Sequence, residues 1–381
     1  MTDKTRFIFA LATLVGTIIG VGLFGLPYVA SEAGFFILVF YFIFIGFIVI
    51  FIHLFYGEVA AKTPGLHRLP GYAEKYLGSG ARRLAFINQL LGLYGALLAY
   101  LIVGGEFLAN LIGGGHSFLY LYTFIFFALG AFLIWRDEKY IGPMELILLF
   151  VFFVIIVVLL AIGSLSIKFD NLLTFEPKNF FVPYGVVIFS VWGASMIPEV
   201  KEILRGNLKQ IRKVIIYSIA VCLLVYILFS LLVVGVTGEM TTKEAIIGLK
   251  GALGKNVIIM GFILGIIATF TSFITLGLTV KKIYLFDYHL PKFPAWFLAC
   301  FVPVILFIIG LKDFINVISL TGAIMLGIEG ILIFLIYLKF KKKEKNTSPQ
   351  KYLKIKFAVS SMIILLLIGV ILEVFFFFNK V

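Results

Sequence analysis

Apolar stretches of about eighteen residues or more alternate with short polar connectors along the whole chain. They fall at about 7–30, 35–58, 85–112, 118–135, 143–166, 182–204, 212–237, 256–280, 294–311, 313–338 and 354–378. A helix needs roughly 20 apolar residues to cross the hydrocarbon core of a bilayer, so eleven spans are predicted. The longest connectors run to about 25 residues and leave no room for a separate water-soluble domain. The predicted fold class is an all-α polytopic membrane protein.

Two of the stretches carry an interruption. Residues 16–27 read GTIIGVGLFGLP and residues 185–198 read GVVIFSVWGASMIP, and in each a glycine (Gly22, Gly193) precedes a proline by five positions (Pro27, Pro198). A helix in lipid keeps its backbone hydrogen bonds internal. Proline removes one N–H and leaves the carbonyl four residues back (Leu23, Ala194) without its partner. Glycine lowers the cost of unwinding nearby. The first and sixth spans are therefore predicted to be broken at mid-membrane. Spans 1–5 (about 7–166) and 6–10 (about 182–338) then form two halves, each opening on a broken helix. Five is odd, so the second half enters the membrane from the opposite side. That is an inverted-topology repeat, whose site is expected at the midplane. Residues 1–353 make the ten-helix core and 354–381 supply an additional eleventh span.

Composition agrees: 62% of residues are hydrophobic, 13% are charged, and the mean hydropathy is +1.14. The net charge of +13 is a matter of topology. With the N-terminus inside, 25 of the 32 Lys and Arg fall in cytoplasmic segments, the positive-inside pattern. The expected placement is a multi-pass protein of the cell membrane with a cytoplasmic N-terminus and an external C-terminus. Its partners are the lipid bilayer and a small-molecule substrate, and nucleic acid is excluded. The basic stub Lys4 and Arg6 precedes an apolar run too long for a signal core and without a small-residue cleavage site, so the first span is read as uncleaved. The run KFKKKEK (339–345) is placed against anionic headgroups or in a solvated loop. An amphipathic stretch, Tyr72–Leu77, predicts a short interfacial helix. Cys222 and Cys300 lie singly in different spans and suggest neither a disulfide nor a metal site. His53, His67, His116 and His289 are scattered, there is no HExxH, and no acid and nucleophile share a depth, so an enzyme is not expected. Nor is there the ring of repeated pore residues that a channel would use.

The candidate chemistry lies at the breaks. Freed N–H groups at a half-helix N-terminus hold an anion such as a carboxylate, and freed carbonyls take an ammonium group or a small cation. Such a site suits an α-amino acid zwitterion; the alternative is that the glycines merely permit close helix packing. A predominantly apolar pocket flanked by Phe189 and Trp192, with Tyr100 mid-span in helix 3, favours a neutral amino acid. In the eighth span Gly261, Gly265, Ala268, Ser272, Thr275 and Thr279 make one narrow stripe of small residues, which must lie close against another helix. The adjacent hydroxyls of Thr271 and Ser272 either bond their own backbone or complete an oxygen cage with carbonyls of the first span. Acids inside spans are few: Glu106, Glu329 and Glu373. The first two are candidate proton-coupling groups. Glu199 and Glu202 follow Pro198 beside Lys201 and Arg205 and suggest an ion pair at the cytoplasmic end.

These residues resemble the amino acid–polyamine–organocation superfamily with the leucine-transporter (LeuT) fold, and within it the amino acid/auxin permeases and the bacterial aromatic amino acid permeases. GTIIGVGLFGLP is similar to their first-helix signature, AYLIVGGEFL (99–108) to their third helix, TSFITLGL (271–278) to their eighth and SLTGAIMLG (319–327) to their tenth. The resemblance implies a LeuT-type 5+5 repeat and a secondary transporter that imports an apolar or aromatic amino acid by alternating access. It further implies that the backbone of Thr17, Ile18, Ile19, Gly20, Val21 and Gly22, and of Phe189, Ser190, Val191, Trp192 and Gly193, holds the substrate's carboxylate and amino groups. Carbonyls of Gly16, Ile19 and Ala268 with the hydroxyls of Thr271 and Ser272 match the cation site of sodium-coupled relatives. Na⁺ is thus the expected coupling ion, with a proton carried by Glu106 or Glu329 as the alternative. No cofactor is expected.

Overall fold

The computed structural model describes residues 2–113, 118–136, 141–344 and 348–380; His116 and Lys345 lie outside them. In chain order the helices are α1 (Asp3–Ile18), α2 (Gly22–Ala33), α3 (Phe35–Lys62), α4 (Leu69–Leu77), α5 (Ser79–Ile112), α6 (Leu119–Arg136), α7 (Ile141–Gly163), α8 (Pro183–Val191), α9 (Ile197–Ile203) and α10 (Leu208–Thr237). There follow α11 (Lys250–Leu253), α12 (Lys255–Lys282), α13 (Lys292–Ile308), α14 (Phe314–Leu320), α15 (Gly327–Lys343) and α16 (Pro349–Lys380). Strands are absent among the described residues. Eight stretches are long and apolar enough to cross a membrane as single spans, and α1 with α2 makes a ninth that bends by 47°. The shorter α13 and the pair α8–α9 occupy the two remaining predicted spans.

The breaks sit earlier than the prolines imply. In the first span α1 stops at Ile18 and α2 restarts at Gly22, so Ile19–Val21 form the break. Pro27 lies inside α2, past the break. In the sixth span Trp192 (ψ 128°) is extended, Gly193 follows, and α9 starts at Ile197 with Pro198 in its first turn. A first-turn residue has no helical partner for its N–H, so proline costs nothing there. The glycine of each pair marks the break, and the proline belongs to the restarted half-helix.

The tenth span, whose sequence carries no glycine–proline pair, is irregular too. Between α14 and α15 residues 321–326 form a π-helical turn. The Asn88 side chain of α5 donates to the Met325 carbonyl at 2.8 Å. A Cβ on Gly322 would strike the Gly185 carbonyl, and one on Gly185 would strike the Ser319 carbonyl, so the sixth and tenth spans touch backbone to backbone. Glu373 of α16, the third acid inside a span, is buried and accepts from the Ser319 hydroxyl at 2.6 Å.

The face carrying most Lys and Arg is knit together by ion pairs. Glu199 and Glu202 pair with Arg68 (2.8 and 2.9 Å) and Glu199 also with Lys282 (2.8 Å). The neighbours Lys201 and Arg205 are therefore not their partners; Lys201 instead donates to the Gly65 carbonyl at 2.7 Å. Part of the 339–345 run is likewise turned inward, because Lys341 is buried on Glu58 (2.7 Å) and Glu344 (2.6 Å). Hydrogen bonds from Lys341 and Lys62 hold the Glu344 carboxyl down at about 2. The short helix expected at Tyr72–Leu77 is present as α4, with Tyr72 fully buried against Tyr56.

Candidate substrate and ion sites

The two breaks meet. A Cβ on Gly22 would collide with Ser190, including its Cα at 2.9 Å, and one on Gly193 would reach Ile18 at 2.8 Å. Two buried side chains serve the backbone groups freed there. The Tyr226 hydroxyl of α10 lies 2.6 Å from the Ile18 carbonyl and 2.7 Å from that of Ser190, so one proton is shared by the C-terminal ends of both half-helices. The Gly193 N–H donates to His53 Nε2 at 2.9 Å, while His53 Nδ1 lies 2.7 Å from the Val49 carbonyl. An amide only donates and a carbonyl only accepts. His53 must therefore be the neutral Nδ1–H tautomer. Sequence reasoning passed over both residues; a lone histidine in the otherwise apolar second span was the available signal.

Beside the breaks lies a cavity of about 40 Å³. One water needs about 10–15 Å³ on this scale, so the space suits about three waters and the walls must yield to admit a larger molecule. Of the residues expected to hold substrate, Thr17, Ile18, Gly20, Gly22, Tyr100, Phe189 and Trp192 line it. Ile19, Val21, Ser190, Val191 and Gly193 do not; they are buried behind the wall, with Ser190 bonded to the Val186 carbonyl. Gly92, Leu93, Ala96, Ser195, Leu276 and Leu326 line it without having been foreseen. Gly92, Ala96 and Tyr100 recur every fourth residue, a one-face signal legible in the third span. Glu329, expected as a proton carrier, is also in the cavity wall. Glu106 is not; it sits near the far end of α5 beside Glu244 of the 238–254 connector.

The five residues of the expected cation site converge between the first and eighth spans. Ser272 Oγ lies 3.2 Å from the Gly16 carbonyl and 3.4 Å from that of Ile19. Thr271 Oγ1 instead bonds the carbonyls of Ile267 (2.8 Å) and Ala268 (3.3 Å) in its own helix. Gly16, Ile19, Ala268 and Thr271 line one small pocket, and a Cβ on Gly16 would meet nothing within 4 Å. Three carbonyls and two hydroxyls are the neutral oxygen donors that hard cations take, so the residues fit such an ion. Of the rest of the stripe, Gly265 packs against Phe107 of α5, whereas Gly261 faces Ile246 in the connector before α12 and not another helix.

Access differs between the two faces. On the basic face a vestibule of about 620 Å³ opens between His67, Arg68, Glu202 and Leu278. Leu276 lines the inner cavity and Leu278, two residues on in the same helix and facing another side of it, lines the vestibule. On the opposite face Phe24 packs edge-on against Phe107 (4.9 Å) and Phe229 (6.0 Å). Lys243 and Asp313 pair there at 2.5 Å.

A helical bundle broken twice at a shared central cavity defines a membrane carrier. The sequence profile of the tryptophan/tyrosine permease family matches residues 3–376, and the chain belongs to that family. It is 27% identical over 281 residues to the tyrosine-specific transport system 1 of Haemophilus influenzae, covering 70% of this chain and 69% of that one. Its fold is similar to that of MhsT, crystallised with L-phenylalanine: TM-score 0.73, 15% identity, 95% of this chain and 98% of MhsT covered. The protein is an integral-membrane permease with the LeuT fold.

Proposed function

We propose that the protein imports an aromatic amino acid by alternating access, driven by Na⁺. The observation that carries this reading is the meeting of two helix breaks at one cavity whose walls are otherwise mainly apolar. The backbone of Gly20 and Gly22 supplies the polar end for the carboxylate and ammonium groups. Phe189, Trp192, Leu93, Leu276 and Leu326 receive the ring. The similar tyrosine transporter and phenylalanine-bound MhsT support this substrate class.

Na⁺ enters the reading through Ser272, whose hydroxyl reaches from the eighth span to two carbonyls at the first break. A cation coordinated there would pin α1 to α12 and hold the break in its substrate-binding shape. The basic face is read as cytoplasmic from the charge bias, which puts the N-terminus inside and the C-terminus outside.

The test is uptake of radiolabelled tyrosine, tryptophan, phenylalanine and leucine into proteoliposomes, under an inward Na⁺ gradient or a pH gradient alone. Saturable aromatic uptake driven by Na⁺ is expected. Thr271→Ala combined with Ser272→Ala should abolish the Na⁺ dependence. Aromatic uptake indifferent to Na⁺ would remove the ion from the scheme, and absence of aromatic uptake would remove the substrate.

A further inference from the structure

One polar group in the cavity wall remains without a task. Glu329 is 2% exposed, is the one carboxyl among the lining residues, and has no hydrogen-bond partner for its Oε1. Trp192, which lines the same cavity, has no partner for its indole Nε1–H. The two are neighbours: a Cβ on Gly330 would lie 3.3 Å from Trp192 Cη2, and both line the same cavity without closing a hydrogen bond of ordinary length between them. A buried polar atom left unpaired costs about 1–3 kcal/mol, so an orphan acceptor beside an orphan donor at the edge of a cavity calls for a ligand carrying both functions. The substrate's ammonium and carboxylate are already provided for by the backbone freed at the breaks, and neither is at once donor and acceptor. A phenol hydroxyl is both.

We propose that Glu329 and Trp192 form a subsite for a phenolic hydroxyl, in which the substrate O–H donates to the Glu329 carboxyl and its oxygen accepts from the Trp192 indole. The inference rests on the aromatic amino acid reading above and narrows it to tyrosine. A carboxyl offers an acceptor oxygen whether ionised or protonated, so the subsite works in either state. Tryptophan, a donor only, satisfies Glu329 and leaves Trp192 unpaired. O-methyltyrosine, an acceptor only, does the reverse, and phenylalanine satisfies neither. A site built around a substrate hydroxyl rejects the analogue lacking it far more strongly than an apolar pocket rejects one methylene.

The experiment measures apparent affinity for these four compounds in proteoliposomes, for the wild-type protein and for Glu329→Leu, Glu329→Gln and Trp192→Phe. The wild type should prefer tyrosine to phenylalanine and to O-methyltyrosine by tenfold or more. Glu329→Leu should bring tyrosine within about threefold of phenylalanine while leaving phenylalanine affinity nearly unchanged. Glu329→Gln keeps a carbonyl acceptor and should retain most of the preference. Trp192→Phe should weaken tyrosine more than tryptophan. An unchanged tyrosine-to-phenylalanine ratio in Glu329→Leu overturns the proposal. So does an equal loss for all four compounds, which would mean that Glu329 holds the common ammonium group. Loss of proton-driven uptake with the ratio kept would assign Glu329 to coupling instead. Should Glu329→Leu not fold, the wild-type ranking and Glu329→Gln still decide. A wild type that carries leucine and none of the four would instead defeat the aromatic reading itself.

Discussion

Tyr226 and His53 hold the breaks open for use. Each gives a freed backbone group a partner without closing the helix over it: one carbonyl in each of the two spans for Tyr226, one amide for His53. Removing the Tyr226 hydroxyl leaves two buried carbonyls short of a donor, at about 1–3 kcal/mol, or roughly fivefold to over a hundredfold in an equilibrium constant. Tyr226→Phe should therefore lower the initial rate of uptake roughly fivefold or more, with a drop in melting temperature of the purified protein. His53→Gln, whose amide oxygen still accepts, should be milder than His53→Leu in the same assay. Neither role was legible in the sequence. A tyrosine among 17 and a histidine in an apolar span look ordinary until the fold brings residues 208 and 140 positions away against them. Ser272 was legible because its neighbour Thr271 made the hydroxyl pair conspicuous. Only the structure separates them, since Thr271 bonds its own helix and Ser272 crosses to another.

At the scale of helices, the glycines of the first span divide by what stands opposite them. Gly22 faces the backbone of Ser190 and Gly20 faces the Tyr100 ring, whereas Gly16 faces open space. Gly22→Ala should cost the fold several degrees of melting temperature and abolish uptake, because a backbone cannot retreat from a methyl group as a side chain can. Gly16→Ala should leave the melting temperature unchanged, so thermal unfolding of the two variants side by side checks the distinction. The spans were readable because a lipid-facing helix must be apolar over a set length, and that demand is local; eight of the eleven predicted stand as single long helices and the first as a bent pair. The position of each break was less readable. Proline is the louder signal in sequence, but the unwinding occurs where a neighbouring backbone comes close, at Gly22 and at Gly193. The π-helical turn at 321–326 left no local mark, since it depends on Asn88 and on Gly185 from other spans.

Seen whole, the molecule is closed by aromatic packing on one face and by charge pairs around a vestibule on the other. Arg68 is the hub of the latter, joined to both acids of α9. Breaking a part-buried pair strands its charged partners, so Arg68→Ala should loosen the basic face. With Leu278→Cys in the vestibule wall, labelling by a membrane-impermeant maleimide from that side should speed up severalfold. Cys222 and Cys300 are buried and give little background. The two-half organisation was read from the odd number of spans in each half, while the partners of Glu199 and Glu202 were not legible, since sequence proximity pointed to Lys201 and Arg205. The Ser272 contact has a last consequence for the transport cycle. Its hydroxyl bonds carbonyls that a cation bound there would also claim, so binding such an ion would require the hydroxyl to swing its hydrogen aside and present a lone pair. Once such an ion had left, the hydrogen would swing back, and the carbonyls would not be left bare in a dry interior. A carrier fitted with such a stopper can make its homeward trip unladen.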